Sequence, residues 1–162
     1  MTFLVLSLGS NLEPRANLPR AVEILRRKFG KLSLSRVYES EAVGFKGDNF
    51  LNMVASVECK ISLEAAQNYL KVLEDRMGRN RDMPRFSDRT IDIDILLYGE
   101  STGEECGLSL PRSEILSSAF VLCPLAELHP HLKYFPLNLS FEELWSNFDK
   151  TEQKLWAIDL CL

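Results

Sequence analysis

Residues 81–99 read RDMPRFSDRTIDIDILLYG, and the fold turns on the second half of that stretch. From Thr90 to Ile95 polar and apolar residues alternate and Leu96-Leu97 continue as an apolar run, which predicts a strand Thr90–Tyr98 closed by Gly99. Successive side chains on a strand point to opposite faces. Ile91, Ile93 and Ile95 therefore share one face, and Thr90, Asp92 and Asp94 share the other. The isoleucine face demands cover, and the residues upstream supply it. Ser62 is a good N-cap for a helix running to Met77, with Gly78 just beyond and Leu63, Ala66, Leu70, Leu73 and Met77 as its buried stripe. Further upstream, Phe50–Lys60 and Leu32–Glu39 read as strands separated by a loop holding Gly44 and Gly47. A helix before them ends near Phe29, with Leu18, Val22, Leu25 and Phe29 on one face and Gly30 as its stop. Pro14 suits the first turn of that helix, and Pro19 must then be tolerated inside it. Phe3–Leu8 is nearly all apolar, as a strand buried on both faces would be.

The order is β-α-β-β-α-β, which predicts an α+β fold with a ferredoxin-like sheet and helices on one face. The Thr90–Tyr98 strand is expected near the centre of that sheet. Additional C-terminal α/β elements follow. Ser113–Leu128 reads as helix broken at Pro124, and Ser140–Glu143 is a capping box opening a short helix. These pieces are expected over the other face or an edge of the sheet. Glu104 and Glu105 read as a solvated hairpin or loop tip, and Trp145 and Trp156 as packing residues.

The chain has 162 residues, 46% apolar and 26% charged, so residues 1–162 are expected to form one soluble domain. Nineteen Lys and Arg against 23 Asp and Glu leave a net charge of −4, which argues against a broad duplex nucleic-acid surface. No apolar run reaches membrane-spanning length, and the first residues lack a signal-peptide pattern, so a cytoplasmic protein with no membrane partner is expected. The four cysteines are scattered without a CxxC pair, which predicts reduced thiols rather than a zinc site or disulfides. His129 and His131 have no further ligands placed beside them and are read as polar loop residues.

Two carboxylates side by side, Asp92 and Asp94, repel unless a cation holds them, and hard oxygen donors suit Mg²⁺ shared with phosphates. The same alternation also fits an exposed strand face carrying solvated acids. Arg79, Arg81, Arg85 and Arg89 precede the acids, and guanidinium forks match phosphate oxygens. Singly, each also fits a solvated loop pairing with Asp82 or Asp88. Together, acids for metal and arginines for phosphate point to phosphoryl-type transfer. GxxxxGK[ST] is absent, so the cradle is not a P-loop.

GSN at Gly9–Asn11, FLNMV at Phe50–Val54, DRTIDIDILLYG at Asp88–Gly99 and AFVLCPLAEL at Ala119–Leu128 occur in one order along the chain. Together they resemble the 6-hydroxymethyl-7,8-dihydropterin pyrophosphokinases of folate biosynthesis. The resemblance implies transfer of pyrophosphate from ATP to the pterin's hydroxymethyl group, with two Mg²⁺ ions and AMP as second product. It implies that Asp92 and Asp94 bind the metals and that Arg81 and Arg89 contact phosphates, with Arg79 beside them. Glu74, Ile95, Ser109 and Arg112 fall on the nucleotide side. Asn52 would read the pterin's polar edge, Phe50 and Phe120 would sandwich its ring, and Ser40, Glu41 and Val43 would border it through the backbone. Plain core packing is the other reading of the two phenylalanines. A monomer with pterin and ATP as its small-molecule partners is expected.

Several positions depart from the family pattern. Arg112 stands where many members carry His, and Ser118 where Arg usually precedes the stacking Phe120 by two residues. Phe86-Ser87-Asp88-Arg89 replaces a Trp-Gly-Pro-Arg-like run, and Ser40–Gly44 lacks the usual prolines. These departures leave open a divergent paralogue that binds pterin or nucleotide with little catalysis, or that acts on a related pterin. A ferredoxin-like RNA-binding module fits poorly, because no strand interleaves aromatic and basic residues.

Overall fold

The computed structural model describes residues 1–42, 44–78, 82 and 88–162. Val43, Arg79, Arg81, Arg85, Phe86 and Ser87 lie outside the described residues. In chain order the elements are β1 (Thr2–Ser10), α1 (Pro14–Phe29), β2 (Ser33–Leu34), β3 (Val37–Ser40), β4 (Phe50–Cys59), α2 (Leu63–Arg76), β5 (Asp92–Tyr98), β6 (Gly103–Glu105), β7 (Leu108–Leu110), α3 (Glu114–Ser117), α4 (Ala119–Leu128), β8 (Lys133–Tyr134), β9 (Leu139–Ser140), α5 (Phe141–Ser146) and β10 (Leu155–Ile158). The main sheet runs β10-β3-β4-β1-β5, with β2 also paired to β4. Every pairing in it is antiparallel.

Both long helices form as the sequence predicts. Pro19 does sit inside α1, and Gly30 ends that helix at φ 86. Ser62 caps α2 by accepting a hydrogen bond from the Ala65 N–H. Leu18, Val22 and Leu25 of α1 and Leu63, Leu70 and Leu73 of α2 cover one sheet face, where they meet Leu4, Leu6 and Leu8, Leu51 and Met53, and Ile91, Ile93 and Ile95. The opposite face carries Val5, Val54, Leu96 and Leu97 under Val121, Leu122 and Leu125 of α4 and Phe141 of α5. Burying each large aliphatic side chain contributes roughly 1.5–3 kcal/mol, so both helical layers hold the sheet. Ser140 and Glu143 close the reciprocal capping box that opens α5.

Three expectations need correction. The strand bearing the two aspartates lies at the end of the ladder rather than at its centre. Its outer edge is occupied, because Glu74 Oε2 accepts the Ile93 N–H at 3.0 Å and the Leu96 carbonyl accepts the Arg112 N–H at 3.0 Å. Leu32–Glu39 forms two short strands, since Ser35 bonds to Val54 through both its backbone and its hydroxyl and breaks the extended run. The helix break falls at Ser118 (φ −120, ψ 114), whereas Pro124 is accommodated within α4. The strand β10 has no clear signature in the sequence, and it pairs with β3 from Val37↔Ile158 to Ser40↔Leu155.

A bulge separates the two halves of β5. Leu6 faces Ile95 and Val5 faces Leu97, which leaves Leu96 as the extra residue. Both Leu96 and Leu97 thereby reach the α4 face, while Asp92 and Asp94 keep that same face further along.

At the C-terminal end of α4, His129 Nε2 lies 2.7 Å from Ser56 Oγ, and its ring meets Phe3 edge-on at 5.0 Å. Burial lowers the imidazole pKa from its ordinary 6.5. As pH falls through 6.5 the unfolded chain takes up a proton that the folded chain resists, so this contribution to stability is present above 6.5 and lost below it. Thermal unfolding between about pH 7.5 and pH 5.5 is expected to show a steeper fall in Tm for wild type than for His129→Gln. Parallel curves would show that this imidazole does not couple folding to pH.

Candidate active site

One row of cross-strand neighbours builds the site. Tyr38 of β3 pairs with Asn52 of β4, Asn52 with Gly9 of β1, and Gly9 with Asp92 of β5. Directly paired residues share a face, so these four lie side by side. The next rows add Ser40 opposite Phe50, and Val54, Ser7 and Asp94 in line. This is the face that α4 and α5 cover in part. The sheet thus brings Ser40, Phe50, Asn52, Asp92 and Asp94 together on one surface. Phe120, in the first turn of α4, packs against the same layer.

Asn52 is 4% exposed and donates from Nδ2 to Ser40 Oγ at 3.3 Å. Gly9 makes room for that amide, since a Cβ placed there would come 2.6 Å from Asn52 Oδ1. Ser10 and Asn11 then staple the end of β1 to the entry of β5. The Ser10 hydroxyl donates to the Thr90 carbonyl, Asn11 Oδ1 accepts the Arg89 N–H at 2.6 Å, and the Arg89 carbonyl accepts the N–H groups of Asn11 and Leu12. From Nδ2, Asn11 also donates to Asp88 Oδ1 at 2.6 Å and to the Asp48 carbonyl at 3.2 Å. Sequence reasoning noted the Gly-Ser-Asn run but missed this task of fixing Arg89, whose side chain is buried at the site's edge. Phe45 was also missed, and its ring stands perpendicular to Phe50 at 6.3 Å.

Asp92 and Asp94 sit two strand residues apart, about 6.6 Å between Cα atoms. Both are partly exposed. Arg112 Nη2 lies 3.5 Å from Asp94 Oδ1, and Arg112 Nε lies 3.4 Å from Glu114 Oε1. Hard carboxylate oxygens on one open face are donors of the kind that fits Mg²⁺. Glu74 is buried and holds the strand edge. Ile95 has its side chain in the core, so only its backbone is available to a ligand, and the strand phase set by Ile93 directs that backbone outward. Ser109 is exposed on β7, in the hairpin that also carries Glu104 and Glu105. Glu41 is exposed beyond the end of β3.

Behind the site, Glu127 of α4 accepts from the Arg36 N–H and Nε–H, both at 2.8 Å, and from the Tyr38 hydroxyl. Burial opposes ionisation of Glu127, but these donors outweigh it and hold the carboxyl below its ordinary range. Burial, then the bond to Glu127, pushes the Tyr38 phenol far above its usual value. Where the resemblance leads one to expect an arginine, Ser118 marks the α3–α4 break. Gln153 bridges it, accepting the Ala119 N–H at 2.8 Å and donating to the Ser117 carbonyl at 2.8 Å. Among the described residues no group of three or more His, Cys, Asp or Glu side chains is placed to hold a metal. No helix among them is long and apolar enough to cross a membrane.

Residues 5–130 match the family described as 7,8-dihydro-6-hydroxymethylpterin-pyrophosphokinase (HPPK). A 2-amino-4-hydroxy-6-hydroxymethyldihydropteridine pyrophosphokinase of Pseudomonas aeruginosa is 35% identical over 131 residues, covering 78% of this chain and 80% of that one. One of the same name from Bacillus subtilis is 30% identical over 127 residues, covering 76% and 75%. Among solved structures, HPPK-DHPS of Plasmodium falciparum with pteroate superposes on 90% of this chain with a TM-score of 0.68 at 15% identity. This chain spans 42% of that longer one. That likeness speaks for the fold, a mixed α/β arrangement of antiparallel sheet and helices. The sequence match extends through the row of site residues, and the chain belongs to the HPPK family.

Proposed function

We propose that this protein transfers the pyrophosphoryl group of ATP to the hydroxymethyl group of 6-hydroxymethyl-7,8-dihydropterin, in folate biosynthesis. The observation that carries this reading is the single open face on which Asn52, Gly9, Asp92 and Asp94 lie side by side. It sets a reader of heterocycle edges next to a pair of metal-binding acids. The pterin hydroxyl oxygen bonds to the β-phosphorus, the α–β bridge breaks, AMP departs with the bridging oxygen, and the hydroxyl proton is released.

Asn52 offers both a donor and an acceptor to the pterin. Ser40, Glu41 and Val43 border the pterin, and Phe50 and Phe120 hold its ring between them. Asp92 and Asp94 would hold two Mg²⁺ ions, which neutralise phosphate charge and favour ionisation of the hydroxyl. Arg89, fixed by Asn11, meets the phosphates. We assign Arg79 and Arg81 to the same phosphates, and Arg112, Ser109, Glu74 and the Ile95 backbone to the nucleotide side. We read residues 1–162 as one domain with a ferredoxin-like core, acting as a monomer. The spatial order β3-β4-β1-β5 supports that reading of the core.

AMP release from Mg-ATP, measured with and without the pterin and with an EDTA control, tests the proposal. Pterin-dependent, EDTA-sensitive AMP is expected. No AMP while the pterin still binds by calorimetry would overturn catalysis and leave a binding protein.

A further inference from the structure

Arg112 is shared by two carboxylates and held closely by neither. Its guanidinium is 3.5 Å from Asp94 and 3.4 Å from Glu114, whereas a committed charge-assisted hydrogen bond closes to about 2.7–2.9 Å. The backbone beneath it is pinned: the Arg112 N–H donates to the Leu96 carbonyl at 3.0 Å, and the Arg112 carbonyl accepts the Ile115 N–H at 3.2 Å. The bulge in β5 supplies that carbonyl, because the extra residue turns part of the strand edge toward the loop that carries Arg112. Only the side chain is left to choose between the two acids.

Resting on the metal assignment above, we propose that Arg112 is a resident counter-ion for Asp94, displaced when a divalent cation binds, and that Glu114 is the acceptor to which it retires. The guanidinium and a metal ion seek the same carboxylate, and like charges do not share it. Glu114 lowers the cost of letting go. It sits at the first position of α3 and already accepts from Nε at 3.4 Å. Arg112 thus raises the metal concentration needed to occupy Asp94.

The test is Mn²⁺ binding to the full chain without nucleotide, read from the EPR signal of free Mn²⁺. Arg112→Gln is expected to tighten binding roughly two- to fivefold, the range of a partly exposed ion pair. Glu114→Gln is expected to weaken it by a similar factor, because Arg112 then stays on Asp94. The double variant decides the mechanism. If Glu114 acts only by receiving Arg112, the double variant binds as Arg112→Gln does. Additive effects would reduce both residues to background charge and overturn the hand-over, as would unchanged or weaker binding in Arg112→Gln. Wild type with no Mn²⁺ affinity, or with an affinity untouched by Asp94→Ala, would overturn the metal assignment itself.

Discussion

Asp94→Ala and Asp92→Ala are each expected to cut turnover on the order of a thousandfold. The argument begins with position. Both carboxylates project from β5 on the open face, next to Gly9 and Ser7 of β1, and no apolar cluster depends on either. Truncation therefore removes charge where phosphates are to be held, without opening a cavity. Folding should be largely intact, with Tm within a few degrees of wild type, because substitutions at partly exposed sites outside the core change stability little. On the proposed assignment, with the acids at the transferring group and Asn52 at the ring, the loss should fall on kcat rather than on the pterin KM. Near-native activity in both variants would remove the acids from the mechanism.

Gly9→Ala is expected to raise the pterin KM roughly ten- to a hundredfold while leaving the ATP KM nearly unchanged. Gly9 lies in an extended strand, so the reason is space. Its added methyl would sit 2.6 Å from Asn52 Oδ1 and 3.7 Å from Asn52 Cγ. That amide has little room to retreat, because it is buried between neighbouring strands and bonded to Ser40. Moving it turns its donor and acceptor away from the heterocycle. Calorimetric titration with pterin and, separately, with an ATP analogue would distinguish this from general misfolding. Unchanged pterin affinity would mean that Asn52 does not read the ring.

Much of this was legible in the sequence, for reasons that can be named. The helices α1 and α2 carry wide apolar stripes and clear stops, and the isoleucines of β5 alternate strictly with its acids. Local signals of that kind survive folding because tertiary packing uses them. The position of β5 at the sheet's end was not legible. Ladder order depends on which edges meet, and nothing in the strand's own residues records that its outer N–H finds Glu74. The bulge at Leu96 escaped notice for the same reason, since two successive leucines fit either face until α4 claims both. Of the site, the acids and Asn52 stood out through a dense family motif. The Asn11 staple and the Arg112–Asp94 contact join residues well separated in the chain, and no spacing rule reaches across that distance.

The pairing of β10 with β3 sets the order in which this protein can be assembled. Ser40 finds its outer partner only when Leu155 arrives, more than a hundred residues later in synthesis. Until then β3 has β4 on one side and an open ladder on the other, an invitation to another nascent chain. On the proposed assignment Ser40 and Glu41 border the pterin, so that side of the site would be the last to be finished. A ribosome halted before Leu155 would hold a chain with its acid pair in place and its substrate border still exposed.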